Sequence, residues 1–216
     1  MHPLQSHKLQ WQPRRSSFGV AERYGSGQDV RYCYPDSDVL INRLGIRQEA
    51  ELELAEIELT QVRIEEFEPD FDDISFSALL AMHRHLFGDI YDWAGELRTV
   101  DVSKGSTRFA NVSRIAPEAE KLFRQLADEN YLVELPTTQF IAHLAHYYCE
   151  LNVVHPFRDG NGRAQRLLFE IICINAGYAL RWEPIGRVEW VEANIAAYNC
   201  NLAPLTALLD RALKAV

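Results

Sequence analysis

The sequence predicts an all-α fold, a helical bundle carrying one β-hairpin, and three observations lead there. Apolar residues recur at three- and four-residue spacing along most of the chain, the pattern of amphipathic helices. One stretch, residues 97–110, switches to alternation on either side of Lys104-Gly105, as a hairpin does. The chain's 216 residues, 47% of them hydrophobic, suffice for one well-buried domain and are short for two.

Taken in order, residues 1–30 carry His2, Pro3, Lys8, Pro13, Arg14, Arg15 and few apolar side chains, and read as a polar, flexible arm ahead of a domain at 31–216. Pro35-Asp36-Ser37-Asp38 offers a helix start before Val39, Leu40, Ile41 and Leu44, which Gly45 breaks. Residues 46–66 continue as a helix in which Leu52, Leu54, Ile57, Leu59, Val62 and Ile64 are interleaved with glutamates, and the acidic face is read as solvated. Residues 76–86 form another helix and residues 91–95 a short helical turn. After the hairpin, residues 111–131 are helical beyond Pro117, with Leu122, Phe123 and Leu126 on one face. Residues 137–152 place Phe140, Ile141, Leu144 and Tyr148 at helical spacing, and residues 163–175 do the same with Leu167, Leu168, Ile171 and Ile172. Gly177 suits a C-cap. Helices at 188–198 and 205–213 close the chain, and no internal repeat is found.

Between the two central helices lies His155-Pro156-Phe157-Arg158-Asp159-Gly160-Asn161-Gly162-Arg163-Ala164-Gln165-Arg166. A helix start offers backbone N–H groups with no intrahelical partner, and the macrodipole adds positive charge there. Gly160 and Gly162 permit unusual dihedrals and close approach of backbone to a ligand, so the turn suits an anion. Arg163 and Arg166, three apart, fall on one side of the first helical turn, and the combination describes a polyphosphate site. Asp159 beside it makes sense if a hard divalent cation, Mg²⁺, bridges carboxylate and phosphate. His155 is suited to accept a proton near neutral pH. Phe157 reads as a packed anchor and Arg158 as exposed. An EF-hand reading fails because Arg163 and Ala164 stand where a ligand and a glycine are needed, and a Rossmann turn lacks its strand and its third glycine.

This run resembles the signature of the Fic family, His-x-Phe-x-(Asp/Glu)-Gly-Asn-Gly-Arg-x-x-Arg, at every specified position. Such a match arises by chance with probability on the order of 10⁻¹⁰ per starting position. Tyr91-Asp92-Trp93-Ala94-Gly95-Glu96-Leu97-Arg98 and Leu144-Ala145-His146-Tyr147-Tyr148 are also similar to Fic proteins, and the likeness covers roughly residues 35 to 210. The resemblance implies a protein adenylyltransferase that moves AMP from ATP to a hydroxyl of another protein. His155 is implied as base, and Asp159 as Mg²⁺ ligand. Gly160, Asn161, Gly162, Arg163 and Arg166 are implied as phosphate binders. The hairpin, Lys104, Gly105, Ser106, Thr107, Arg108 and Phe109, is implied as a flap that pairs with the target segment.

Family members that phosphorylate carry lysine where this chain has Gly162, so adenylylation is the expected reaction; phosphotransfer, removal of AMP and a non-enzymatic nucleotide- or partner-binding module are the alternatives. Many Fic proteins are silenced by an inhibitory helix, (Ser/Thr)-x-x-x-Glu-(Gly/Asn), whose glutamate pairs with the second signature arginine. This chain has no match; Glu129-Asn130 comes closest, with Gln125 where Ser or Thr is required. The resemblance therefore implies a toxin held by a separate small antitoxin carrying that helix, bound near the N-terminal helices. ATPase subunits of type II topoisomerases are the first implied targets.

A net charge of −9 argues against a nucleic-acid surface. No apolar run approaches a membrane span and no signal-peptide core is seen, so a cytoplasmic protein is expected. Cys33, Cys149, Cys173 and Cys200 form no C-x-x-C pair and read as reduced, buried thiols. His143 and His146 read as helix-face residues without a third ligand.

Overall fold

Of the residues from Asn161 to Asn175, all but three are buried, so the helix they form is the axis about which the others pack. The computed structural model describes residues 31–215. In chain order its helices are α1 (Glu49–Glu65), α2 (Phe76–Phe87), α3 (Val112–Asp128), α4 (Thr137–Val154), α5 (Asn161–Asn175), α6 (Arg187–Tyr198) and α7 (Ala203–Ala212). Between α2 and α3 lies the hairpin of β1 (Ser103–Lys104) and β2 (Thr107–Arg108). A second antiparallel pair joins β3 (Tyr178–Leu180) to β4 (Leu213–Ala215).

α5 packs on α2 and α4, α1 packs on α2, and α7 packs on α4 and α6. One continuous core, including Phe87, Phe140, Leu144, Phe157, Phe169 and Ile172, runs through these interfaces. The all-α reading with one hairpin is the observed architecture; the short β3–β4 pair is an addition that three-residue strands are too brief to announce by alternation. The arm expected at 1–30 lies outside the described residues.

Three local readings are corrected. Residues 39–44 are not a helix: Tyr34 N–H donates to Val39 O at 3.0 Å and Ile41 N–H to Tyr32 O at 2.7 Å, closing a tight reversal. Ser37 Oγ accepts from Val39 N–H at 3.0 Å, so the residues that resemble a cap instead form a turn. α3 begins at Val112, ahead of Pro117. The Asp101 carboxylate accepts from Val112 N–H and from the Asn111 side chain, both at 2.8 Å, and satisfies the helix start from outside. The face of α1 read as solvated buries Glu56 beside Leu52 and Thr60.

Cys33, Cys149 and Cys173 are buried thiols, whereas Cys200 is exposed. His143 Nδ1 bonds to Glu129 Oε2 at 2.6 Å, and among the described residues no cluster of three or more His, Cys, Asp or Glu could hold a metal.

Candidate active site

The carboxyl end of α4 fixes the first functional side chain. His155 caps this helix with φ 49° and ψ 65°, a left-handed conformation that turns the chain sharply into the signature loop. Its Nδ1 lies 3.1 Å from Asn152 O. A carbonyl oxygen only accepts, so Nδ1 carries the hydrogen and, in the neutral ring, Nε2 carries the lone pair. Phe109, just past β2, stacks flat on the imidazole, with centroids 3.7 Å apart and planes at 14°. His155 is thus buried, held in one tautomer and covered on one face.

Arg98, almost fully buried, ties His155 to the hairpin. Its Nε donates to His155 O at 2.7 Å and one amino group to Val100 O at 2.7 Å, while the other serves Ala110 O and Val154 O. Both legs of the hairpin and the end of α4 therefore meet on one guanidinium. Burial lowers its pKa to about 10, with Asp101 acting in the opposite sense.

The loop itself is closed by its own polar groups. The Asn161 side chain accepts from Phe157 N–H and donates to Phe157 O, each at 2.9 Å. Gly160 N–H donates to Asp159 Oδ1 at 2.5 Å. Gly160 has φ 78°, and a Cβ there would stand 2.4 Å from the Phe87 ring, so no other residue fits. The Asn161 side chain and the Gly160 N–H, read from sequence as phosphate contacts, are committed within the loop, because a buried turn must pair its own donors. Asn161 and Gly162 occupy the first two helical positions of α5, where N–H groups have no intrahelical acceptor.

His83, on α2, holds the back of the loop. Its Nε2 lies 2.8 Å from Asp159 O and its Nδ1 accepts from Gly95 N–H at 2.9 Å, so Nε2 is the protonated nitrogen. The ring is sandwiched between Phe87 and Phe157, at 4.7 and 3.8 Å. Burial lowers its pKa to about 3, with Arg163 adding to the shift and the Asp159 carbonyl opposing it.

Arg163 is the main departure from the sequence reading. Its guanidinium reaches into the interior and donates to Glu56 Oε2 at 2.5 Å, with its charge 4.4 Å over the Phe87 ring. Burial opposes that charge, but Glu56 and Asp159 outweigh it and raise the Arg163 pKa. A buried carboxylate on α1 needs a cation, and Arg163 supplies it, so its guanidinium lies on Glu56 and not on the cavity wall. Arg158, expected to be exposed, is buried as well and faces the Tyr32 ring at 5.7 Å.

What remains open is a cavity of about 370 Å³. His155, Gly162 and Arg166 line one side of it. The hairpin contributes Lys104, Gly105, Ser106 and Thr107, with Phe109 beyond; α6 contributes Arg187, Trp190, Asn194 and Tyr198, among others. Asp159, Gly160, Asn161 and Arg163 do not line it, nor does Arg108, whose N–H and C=O both bond to the Tyr198 hydroxyl at 3.3 and 3.0 Å. Among the described residues, Lys104, Arg166 and Arg187 face the cavity and no acidic residue does, in a chain of net charge −9. Sequence reasoning missed Glu56, His83, Arg98 and Tyr198; the one local signal is Glu56 itself, spaced four residues from Leu52 and from Thr60 on the same helical stripe.

Fold and cavity define a helical domain with a cation-lined cavity under a hairpin, beside a histidine held in one tautomer. The Fic/DOC family model matches residues 73–173. Proteins named "Probable protein adenylyltransferase Fic" are 42% identical in Salmonella typhimurium, over 90% of this chain and 96% of that one, and 41% identical in Escherichia coli, over 89% and 96%. The N-terminal Fic domain of a VirB-translocated Bep effector protein from Bartonella quintana, solved with bound ADP, superposes with a TM-score of 0.80 at 27% identity, over 86% of this chain and 95% of that one. The chain belongs to the Fic/DOC family. Among the described residues no helix is long and apolar enough to cross a membrane.

Proposed function

We propose that this chain is a protein adenylyltransferase, transferring AMP from ATP to a hydroxyl side chain of a target protein. The observation that carries the reading is the cavity at His155, lined by Lys104, Arg166 and Arg187 and, among the described residues, by no acid. Three cations suit a polyphosphate, and the apolar side of the same cavity, with Trp190, Val191 and Ile195, suits a nucleobase. The target hydroxyl gives its proton to His155 Nε2 as its oxygen bonds to the α-phosphorus, and the bond from that phosphorus to the pyrophosphate oxygen breaks. Arg166, with the N–H group of Gly162, takes charge developing on the phosphates. Lys104, Gly105, Ser106, Thr107 and Arg108 guide the target as a flap.

The donor set fits Mg²⁺ only with the nucleotide in place. Asp159 is a single protein carboxylate, and Mg²⁺ commonly takes one or two carboxylates, water and substrate phosphates. When bound there it would neutralise charge on the departing pyrophosphate.

Control by a separate small antitoxin is part of this proposal. Glu129, nearest in sequence to an inhibitory glutamate, is bonded to His143 and caps α3. An inhibitory glutamate reaching Arg166 from a partner protein, in a cytoplasmic setting, fits this arrangement, and a type II topoisomerase ATPase subunit is the first target to try.

Incubating the purified chain and His155→Ala with bacterial lysate, Mg²⁺ and ATP labelled at the α or the γ phosphate tests the reaction. Protein labelling from the α position alone, reduced at least about 10²-fold in the variant, is expected from loss of a general base. Labelling from γ alone would replace adenylylation by phosphotransfer, and undiminished labelling by the variant would remove His155 from the base role.

A further inference from the structure

Behind the signature loop two carboxylates share one guanidinium. Arg163 is hydrogen-bonded to Glu56 Oε2 at 2.5 Å and stands 3.9 Å from Asp159 Oδ1, outside hydrogen-bond range. The three side chains are only 2%, 8% and 4% exposed, in the order Glu56, Arg163, Asp159. The other Glu56 oxygen accepts from the Tyr91 hydroxyl, so both oxygens are engaged and the carboxylate is fixed. Phe87 lies under the guanidinium and helps keep it on the Glu56 side.

We propose that Glu56 is a positioning residue that sets the divalent-cation affinity of Asp159 by holding Arg163 away from it. With both acids ionised, the cluster carries a net single negative charge in a buried place, which a cation arriving with the nucleotide offsets. Among the described residues, Asp159 is the other carboxylate within 4.0 Å of Arg163. The two are four apart at the start of α5, a spacing at which opposite charges meet. Without the charge of Glu56, Arg163 closes on Asp159, neutralises it and repels a second cation. The inference rests on Asp159 as the metal residue of the proposed reaction.

The test measures Mn²⁺ binding by electron paramagnetic resonance, with the full chain and a non-hydrolysable ATP analogue, for the native protein, Asp159→Asn, Glu56→Gln and Glu56→Gln/Arg163→Met. Glutamine keeps an acceptor for Tyr91, and the double variant keeps the cluster's net single negative charge, now on Asp159, which still accepts from Gly160 N–H, so both should fold, which circular dichroism checks. Glu56→Gln is expected to weaken Mn²⁺ binding roughly 10- to 100-fold, as loss of outer partners does at other metal sites. The double variant should recover most of that loss, an outcome that general damage to the fold would not produce. Unchanged binding in Glu56→Gln, or a double variant as weak as the single, overturns the inference. If Asp159→Asn loses the ion while Glu56→Gln keeps it, the metal reading stands and the inference alone falls. If the native chain binds no Mn²⁺ or Asp159→Asn binds it normally, both fall.

Discussion

His83 performs no chemistry, yet the loop depends on which of its nitrogens carries a hydrogen. One nitrogen accepts from Gly95 N–H and the other donates to Asp159 O, so a second proton would leave the Gly95 donor facing a donor. Its pKa is lowered from 6.5 to about 3 by burial. Between those values the unfolded chain binds a proton that the folded chain refuses, so stability is full above about pH 6.5 and falls as the pH drops towards 3. At pH 5 the loss relative to pH 7.5 is about 2 kcal/mol from this residue alone. Urea unfolding of the native chain and His83→Gln at both pH values checks this: the variant should lack that share of the acid loss. Nothing near residue 83 in the sequence signals the role, because its partner lies 76 positions away.

At the scale of elements, the hairpin is held by its neighbours more than by itself. It comprises two residue pairs, Ser103 with Arg108 and Lys104 with Thr107, which would be marginal alone. Its outer edge at Arg108 is closed by Tyr198 from α6, and its base by Arg98. Tyr198→Phe removes both bonds to Arg108, each worth about 1 kcal/mol. Amide exchange across residues 103–109 should then accelerate roughly 30-fold, as about 2 kcal/mol implies; unchanged exchange would show the hairpin to be fixed elsewhere. The hairpin was legible because alternation is a local pattern. The turn at residues 33–40 was misread because serine and aspartate serve helix caps and turns alike, and only the bridge between Cys33 and Leu40 decides between them.

Across the whole molecule, the signature loop was readable and its supports were not. The residues of the turn are contiguous, so their chemistry is visible in one line of sequence. Arg98 reaches His155 from 57 positions away, and Glu56 reaches Arg163 from 107. The partners of a buried charge are set by packing of distant helices, which is why Arg163 could be seen as a cation and not be placed. Arg98→Lys puts one compact ammonium where a fork serves four carbonyls. It should cost about 2–4 kcal/mol in denaturant unfolding, since buried acceptors lose their donors. A change within about 0.5 kcal/mol, the range of ordinary surface substitutions, would show the hub to be redundant.

The brevity of the hairpin bears on how this protein meets a target. A strand laid along two residue pairs gains only a few backbone hydrogen bonds, together about 1–3 kcal/mol. Even a millimolar complex needs about 4 kcal/mol. If the target docks on the hairpin as proposed, such an encounter is fleeting, so the modified protein leaves quickly and one molecule can visit many copies in succession.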